Sequence, residues 1–125
     1  MNQTSGLVEQ IAKAIGRFRL PRSEEATYQL AVEDVLGRLA IEFEAQRDLG
    51  AGYGRIDLFV PAIALGVELK VKGSLSEVTA QLHRYATCPL IERLMLVTGS
   101  VRLGQIPSSM NGKPVTVVPT WRGYL

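Results

Sequence analysis

The chain has 125 residues, of which 46% are hydrophobic, and this is enough for one domain with a compact core. Fourteen Lys and Arg against twelve Asp and Glu leave a formal charge of +2, which is too small to argue for nucleic-acid binding by itself. The single Cys88 and the single His83 exclude an intrachain disulfide and a tetrahedral Cys/His zinc site, and a reducing cytoplasm is the expected location. No stretch is long and apolar enough to cross a bilayer, so we expect no membrane partner.

Two amphipathic helical patterns come first along the chain. Apolar residues at helical spacing predict a helix over residues 6–19, ended by Pro21. Ser23 is the predicted N-cap of a second helix that runs to about residue 39. Its predicted apolar face consists of Tyr28, Val32, Val35, Leu36 and Leu39. We therefore expect an N-terminal helix and linker over residues 1–22 and the main domain over residues 23–125, in one globular unit. The first helix packs on this domain or supports a homodimer.

From residue 41 onward the pattern changes to short segments typical of strands. The predicted strands are residues 41–46, 53–60 and 63–71, and tight connections between them indicate an antiparallel meander. A third helix is predicted over residues 76–86. The continuous apolar run over residues 94–98 is typical of a strand buried on both faces, and residues 115–118 form a last, peripheral strand. This order of elements predicts an α/β fold with a mixed sheet.

Charged residues interrupt two of these strands. Glu68 and Lys70 point to one face of their strand because side chains alternate, and burying them is costly unless they are paired or bind a metal. A lone Glu-x-Lys is more often an ion pair on an exposed strand. Asp57, however, lies across the hairpin from Glu68, in the middle of a strand, where aspartate is disfavoured. Two facing carboxylates repel each other, so the pattern favours a divalent cation such as Mg²⁺ or Mn²⁺.

A third acid is predicted on the second helix. At 100° per residue, Glu25 falls near the middle of the apolar face, Glu24 at its margin and Glu33 well outside it. Glu25 is therefore the better candidate for the metal site, and Glu24 remains a substitute. An equally good interpretation is that the Glu25 carboxylate only interacts favourably with the helix dipole in the first turn.

The third helix brings further polar residues toward the strand face that carries Glu68. Gln81 and Tyr85 are one turn apart on one side of the helix, although such a tyrosine is more often a core aromatic. His83 and Arg84 point elsewhere, so we expect His83 on the surface and Arg84 in reach of a phosphate.

Taken together, these residues resemble the PD-(D/E)xK nuclease superfamily over roughly residues 23–99. Asp57 matches the motif aspartate, and Glu68 and Lys70 match the (D/E)xK element. The aspartate follows Ile56 where the motif has proline, a common departure in this divergent superfamily. Small Holliday-junction resolvases and virus-type replication-repair nucleases are the most similar members in size.

The resemblance extends to both helices of the core. Glu25, or Glu24, matches the acid of the first core helix, and Gln81 with Tyr85 looks like the QxxxY element of RecB-type members. The resemblance implies a restriction-endonuclease-like αβββαβ core, preceded by one extra helix. It also implies a Mg²⁺- or Mn²⁺-dependent deoxyribonuclease, with internal cleavage favoured over cleavage from ends.

The resemblance also assigns roles to residues. Asp57, Glu68, the Leu69 carbonyl and Glu25 would bind the metal, Lys70 would orient the attacking water, and Gln81 would position Lys70 or the nucleic acid. The candidates for nucleic-acid contacts are Arg55, Lys72, Arg84 and Tyr85. RNA stays open as a substrate. Two other classes also remain open: a nuclease fold that binds nucleic acid or assembles without turnover, and a purely structural subunit.

Overall fold

A six-stranded mixed sheet with helices on both faces makes up the described part of the computed structural model, residues 3–17 and 24–120. The predicted α/β class is therefore confirmed. The helices are α1 (Gln3–Gly16), α2 (Glu25–Arg38) and α3 (Leu75–Ala86). The strands are β1 (Glu44–Asp48), β2 (Arg55–Val60), β3 (Leu65–Lys70), β4 (Arg93–Thr98), β5 (Ser109–Met110) and β6 (Lys113–Pro119). None of the helices within these residues is long and apolar enough to span a membrane.

The strand order across the sheet is β1-β2-β3-β4-β6-β5. β1, β2 and β3 form the predicted antiparallel meander, whereas β3, β4 and β6 are parallel neighbours. α3 connects β3 to β4, as a crossover between parallel strands requires. Residues 94–98 of β4 are all buried, which confirms the prediction of a strand covered on both faces. β6 has only the two-residue β5 beyond it, so it lies close to the edge of the sheet.

Two apolar cores separate the sheet from its helices. α1 and α2 cover one face, where Ile11 and Ile15 of α1 are fully buried in the same core as Val67 and Leu69 of β3. α3 covers the opposite face. Gly66 points to this second face, and an added Cβ would lie 2.5 Å from the Ile56 Cδ1. The alternation along β3 therefore directs Glu68, two residues after Gly66, toward α3.

The start of β1 differs from the prediction. α2 ends in a Schellman motif, in which the N–H of Ala40 donates to Gly37 and the N–H of Ile41 donates to Leu36. Ile41 and Phe43 then pack back on the core under α2. The strand begins only at Glu44, not at residue 41, because these apolar residues cover the end of a helix.

The next two strands also begin later than predicted. Gly54, at φ 90°, closes the hairpin loop, so β2 begins at Arg55. Pro61–Ile63 forms one turn of 3-10 helix and Ala64 has φ 49°, so β3 begins at Leu65. Positive φ is incompatible with a regular strand, which explains both differences.

The helix boundaries shift by one to three residues. α1 begins at Gln3, earlier than predicted, and the predicted stop at Pro21 lies outside the described residues. The predicted N-cap, Ser23, also lies outside them, and Glu24 occupies the N-cap position of α2. α3 begins one residue earlier than predicted, after Ser74.

Candidate functional site

At one end of the pairing between β2 and β3, two carboxylates replace backbone hydrogen bonds of the ladder. The two strands pair over residues 58–60 and 65–67. Beyond this pairing, Asp57 Oδ2 accepts the N–H of Leu69 at 2.8 Å, and Glu68 Oε1 accepts the N–H of Asp57 at 3.3 Å. The two carboxylates thus take the place of the next ladder hydrogen bonds. We call this place, formed by Asp57, Glu68 and Leu69, the fork.

Asp57 marks an irregular point in β2. Ile56 belongs to the core under α3, whereas Leu58 belongs to the core under α1 and α2. Residues two apart in a regular strand share one face, so the alternation is broken at Asp57. On the other side, Gln46 of β1 has φ 51° and lies between the paired positions Ala45 and Arg47. The aspartate that seemed out of place in the sequence therefore lies where two ladders are interrupted.

Glu68 is the most buried charged group of the site, at 3% exposure. Its Oε2 lies 3.7 Å from Lys70 Nζ, and the Lys70 side chain is 22% exposed. The pKa of Glu68 is raised from 4.5 to about 8, mainly by burial and in addition by repulsion from Asp57, while the Lys70 ammonium opposes the change. With both acids ionised, the fork carries two negative charges beside the single positive charge of Lys70.

The donor atoms at the fork suit a hard divalent cation. The N–H and C=O of one strand residue leave the strand on the same side, so the Leu69 carbonyl faces the fork together with its N–H. Within the described residues, no cluster of three or more His, Cys, Asp or Glu side chains could hold a metal ion. Mg²⁺, however, keeps several waters and is commonly bound through one or two carboxylates. Asp57, Glu68 and the Leu69 carbonyl therefore fit Mg²⁺ or Mn²⁺.

Glu25 reaches the same region from α2. Its Oε2 accepts the N–H of Val71 at 3.4 Å, just beyond the end of β3. It lines a pocket of about 280 Å³ together with Ala26, Gln29, Gln46, Asp57 and Leu69. The residue is exposed, so its predicted place in the middle of the buried helix face is wrong. Glu24, at the N-cap, is exposed as well, and Glu25 is the acid of this pair that lines the pocket.

On the opposite face, Gln81 and Tyr85 form one hydrogen-bonded unit. The Gln81 amide donates to the Tyr85 hydroxyl at 2.9 Å, and this hydroxyl donates to the Arg55 carbonyl at 2.8 Å. Burial raises the pKa of Tyr85, and the nearby Glu68 carboxylate has the same effect. At 1% exposure Tyr85 is a core aromatic, which leaves very little of its surface for the predicted contact with nucleic acid. The pair anchors the start of β2 to α3.

The three predicted phosphate-binding cations, Arg55, Lys72 and Arg84, are exposed. Arg55 begins β2 and Lys72 follows β3, so both flank the strands that carry the acids. Arg84 Nε donates to the Tyr53 carbonyl at 3.1 Å, which ties it to the hairpin loop. His83 is exposed, as predicted.

Sequence reasoning missed two glutamines beside the fork. Gln29 Nε2 donates to the Asp57 carbonyl at 3.2 Å, and Gln46 Nε2 lies 3.5 Å from Asp57 Oδ1. Gln29 follows Glu25 by one helical turn, and this spacing was the available signal. Gln46 gave none, because its position depends on a backbone conformation.

A comparison of the chain with known protein families, with curated proteins and with solved structures gives no match.

Proposed function

We propose that this protein is a Mg²⁺- or Mn²⁺-dependent nuclease with a restriction-endonuclease-like core, which hydrolyses phosphodiester bonds in DNA. The observation that carries the proposal is the fork, where Asp57 and Glu68 replace ladder hydrogen bonds beside Lys70. An ion pair that only stabilised a strand would need a single acid. The second acid, placed against a buried first one, is costly unless one of the two holds a proton or a cation is bound between them.

The order of elements supports the family part of the proposal. α2, the β1–β3 meander, α3 and β4 follow each other as helix, three strands, helix and strand. β3, which carries Glu68 and Lys70, lies in the interior of the sheet between β2 and β4 and pairs with β4 in parallel. This is the arrangement expected of the PD-(D/E)xK superfamily.

Each group at the fork has a role in this proposal. Asp57, Glu68 and the Leu69 carbonyl hold the cation, and Glu25 adds a carboxylate at the rim of the pocket. When bound, such a cation lowers the pKa of a coordinated water and neutralises charge on the scissile phosphate. Lys70 orients the attacking water and stabilises the negative charge that develops on the phosphate oxygens.

The nucleic acid is held by exposed cations around the fork. Arg55 and Lys72 flank the acids and contact phosphates without reading bases, so binding is sequence-independent and weakens with salt. Gln81 and Tyr85 keep the start of β2 in register, and so keep Asp57 in place.

Cleavage assays test this proposal. Plasmid, single-stranded, duplex and four-way-junction DNA, with RNA as a further substrate, are each incubated with Mg²⁺, Mn²⁺ or EDTA. We expect divalent-dependent cleavage, lowered at least about 100-fold in Lys70→Ala and in Asp57→Ala. Lys13→Ala is the matched control, because it removes an exposed lysine of α1 that has no role at the fork and should retain turnover. Equal cleavage by wild type, Lys70→Ala and Asp57→Ala would refute the assignment.

A second candidate is a protein of the same fold that binds DNA without cutting it. It is favoured by the contact of Glu25 with the Val71 N–H, which leaves two acidic side chains at the fork itself. DNA affinity in EDTA, with no nicking in either metal, would support this candidate. The mass in solution, measured in the same experiments, tests the proposed homodimer.

A further inference from the structure

We propose that Gln46 is a positioning residue for Asp57: a strained backbone directs its neutral amide to the Asp57 carboxylate, which keeps that carboxylate aligned for a cation. The inference rests on the proposed function, since it concerns the same cation site. Gln46 lies on β1, outside the two strands that carry Asp57 and Glu68.

The glutamine belongs to a hydrogen-bonded chain that ends at the fork. Gln46 Nε2 lies 3.3 Å from Gln29 Oε1 and 3.5 Å from Asp57 Oδ1. Gln29 Nε2 in turn donates to Glu33 Oε2 at 2.8 Å and to the Asp57 carbonyl at 3.2 Å. Each amide presents its NH₂ group to oxygens, and only this orientation of both amides satisfies all four contacts.

The backbone at Gln46 is unusual for its place in the fold. Among the described non-glycine residues, Ala40, Gln46, Ala64 and Asn111 have positive φ. The other three lie at the end of a helix, after a 3-10 turn and in a tight turn, where such conformations are common. Gln46 lies in the middle of β1, with φ 51°. This conformation costs free energy that a glycine would not lose, and it is what interrupts the β1–β2 ladder opposite Asp57.

Two groups of the described residues donate to the Asp57 carboxylate, and both are neutral. The Leu69 N–H binds Oδ2 and the Gln46 amide approaches Oδ1, so the carboxylate is oriented at both oxygens without being neutralised. A lysine or arginine at position 46 would compensate the negative charge and compete with a cation. Lys70, the cation beside the fork, is paired with Glu68 instead. Asp57 therefore faces the pocket with its carboxylate held by neutral donors.

Variants that remove or keep the backbone strain at position 46 distinguish a positioning role of the Gln46 amide from a purely structural one. Gln46→Gly removes both the amide and the strain, whereas Gln46→Ala removes the amide and keeps the strain. Ala40→Gly is the matched control, because it relieves the same type of strain at an exposed position at the end of α2. We expect a higher Tm for Gln46→Gly and Ala40→Gly than for wild type. Calorimetric titration with Mn²⁺ should show at least fivefold weaker affinity in both Gln46 variants, and an unchanged affinity in Ala40→Gly.

Cleavage gives a second readout. In the Gln46 variants, the Mn²⁺ concentration for half-maximal rate should rise, while the rate at saturating Mn²⁺ stays within about threefold of wild type, because the catalytic groups remain. A Gln46 side chain with a merely structural role would lower the Tm of Gln46→Ala and leave the Mn²⁺ affinity unchanged.

The outcomes distinguish the two proposals. If wild type and both Gln46 variants bind Mn²⁺ equally, the role of Gln46 is refuted and the nuclease proposal stands. If wild type binds Mn²⁺ and cuts no substrate, the nuclease proposal falls, and the Mn²⁺ affinities still decide the role of Gln46. If wild type binds no Mn²⁺, both are refuted.

Discussion

Glu68 should make the metal-free protein less stable as the pH rises. Burial and the Asp57 carboxylate raise the pKa of Glu68 from 4.5 to about 8 in the folded protein. The folded state thus binds the Glu68 proton more tightly than the unfolded chain does. The corresponding stability is fully present below pH 4.5 and is lost as the pH rises through about 8.

The magnitude follows from the two pKa values. Each pH unit between 4.5 and about 8 changes the free energy of unfolding by about 1.4 kcal/mol, so the full loss is at most about 5 kcal/mol. The free energy of unfolding of a domain is typically about 5–15 kcal/mol, so this loss is a large part of it. Glu68→Gln keeps the shape of the side chain and binds no proton, so it removes this contribution.

Urea unfolding in EDTA at pH 5, 7 and 9 measures the effect. We expect the free energy of unfolding of wild type to fall relative to that of Glu68→Gln with each step in pH. Taking the difference between the two proteins removes the effect of the other titrating groups, which they share. Mg²⁺ or Mn²⁺ at about 100 times its Kd should restore about 2.7 kcal/mol to wild type at pH 9, and much less to Glu68→Gln. Parallel curves for the two proteins from pH 5 to pH 9 would show that Glu68 does not hold a proton in the folded state.

Three further predictions concern the scaffold and the nucleic-acid contacts. Gly66→Ala should lower the free energy of unfolding by about 1–3 kcal/mol in urea, because the added Cβ meets an Ile56 methyl at 2.5 Å; Gly6→Ala, on a helix with open space around it, should not destabilise. Ser74→Ala removes a hydroxyl that accepts a backbone N–H of the first turn of α3, and should cost about 1 kcal/mol in thermal unfolding. Lys72→Ala should reduce the slope of DNA affinity against salt by about one, measured by fluorescence anisotropy at several salt concentrations.

The order of the elements could be predicted from the sequence because hydrophobic periodicity depends on local spacing. The apolar run over residues 94–98 and the meander were recognisable in this way. The start of β1 was not, because Ile41 and Phe43 have the composition of a strand but pack against a helix end. Positive φ at Ala40 decides between these conformations, and alanine gives no sign of it in a sequence.

The acids of the site could be predicted because charges in the middle of a strand are uncommon. Asp57, Glu68 and Lys70 stood out for this reason, and the structure brings them together. The exposure of Glu25 could not be predicted. Helical periodicity tells which side of the helix a residue lies on, but not how deeply the first turn of the helix is buried. Gln46 was missed because its proximity to Asp57 depends on a single irregular dihedral angle.

The position of α1 has a consequence for how the protein folds as it is synthesised. Ile11 and Ile15 share their core with Val118 of β6, and a Cβ at Gly16 would lie 3.9 Å from the Val118 Cγ1. The partner strand of this helix leaves the ribosome long after the helix itself. During translation the part of α1 that contacts Val118 must therefore remain uncovered, or be shielded by a chaperone, until β6 has joined the sheet, whereas its contacts with α2 can form earlier. A nascent chain that stalls before Val118 should consequently be prone to aggregation, and docking of α1 on β6 should be one of the last events of folding.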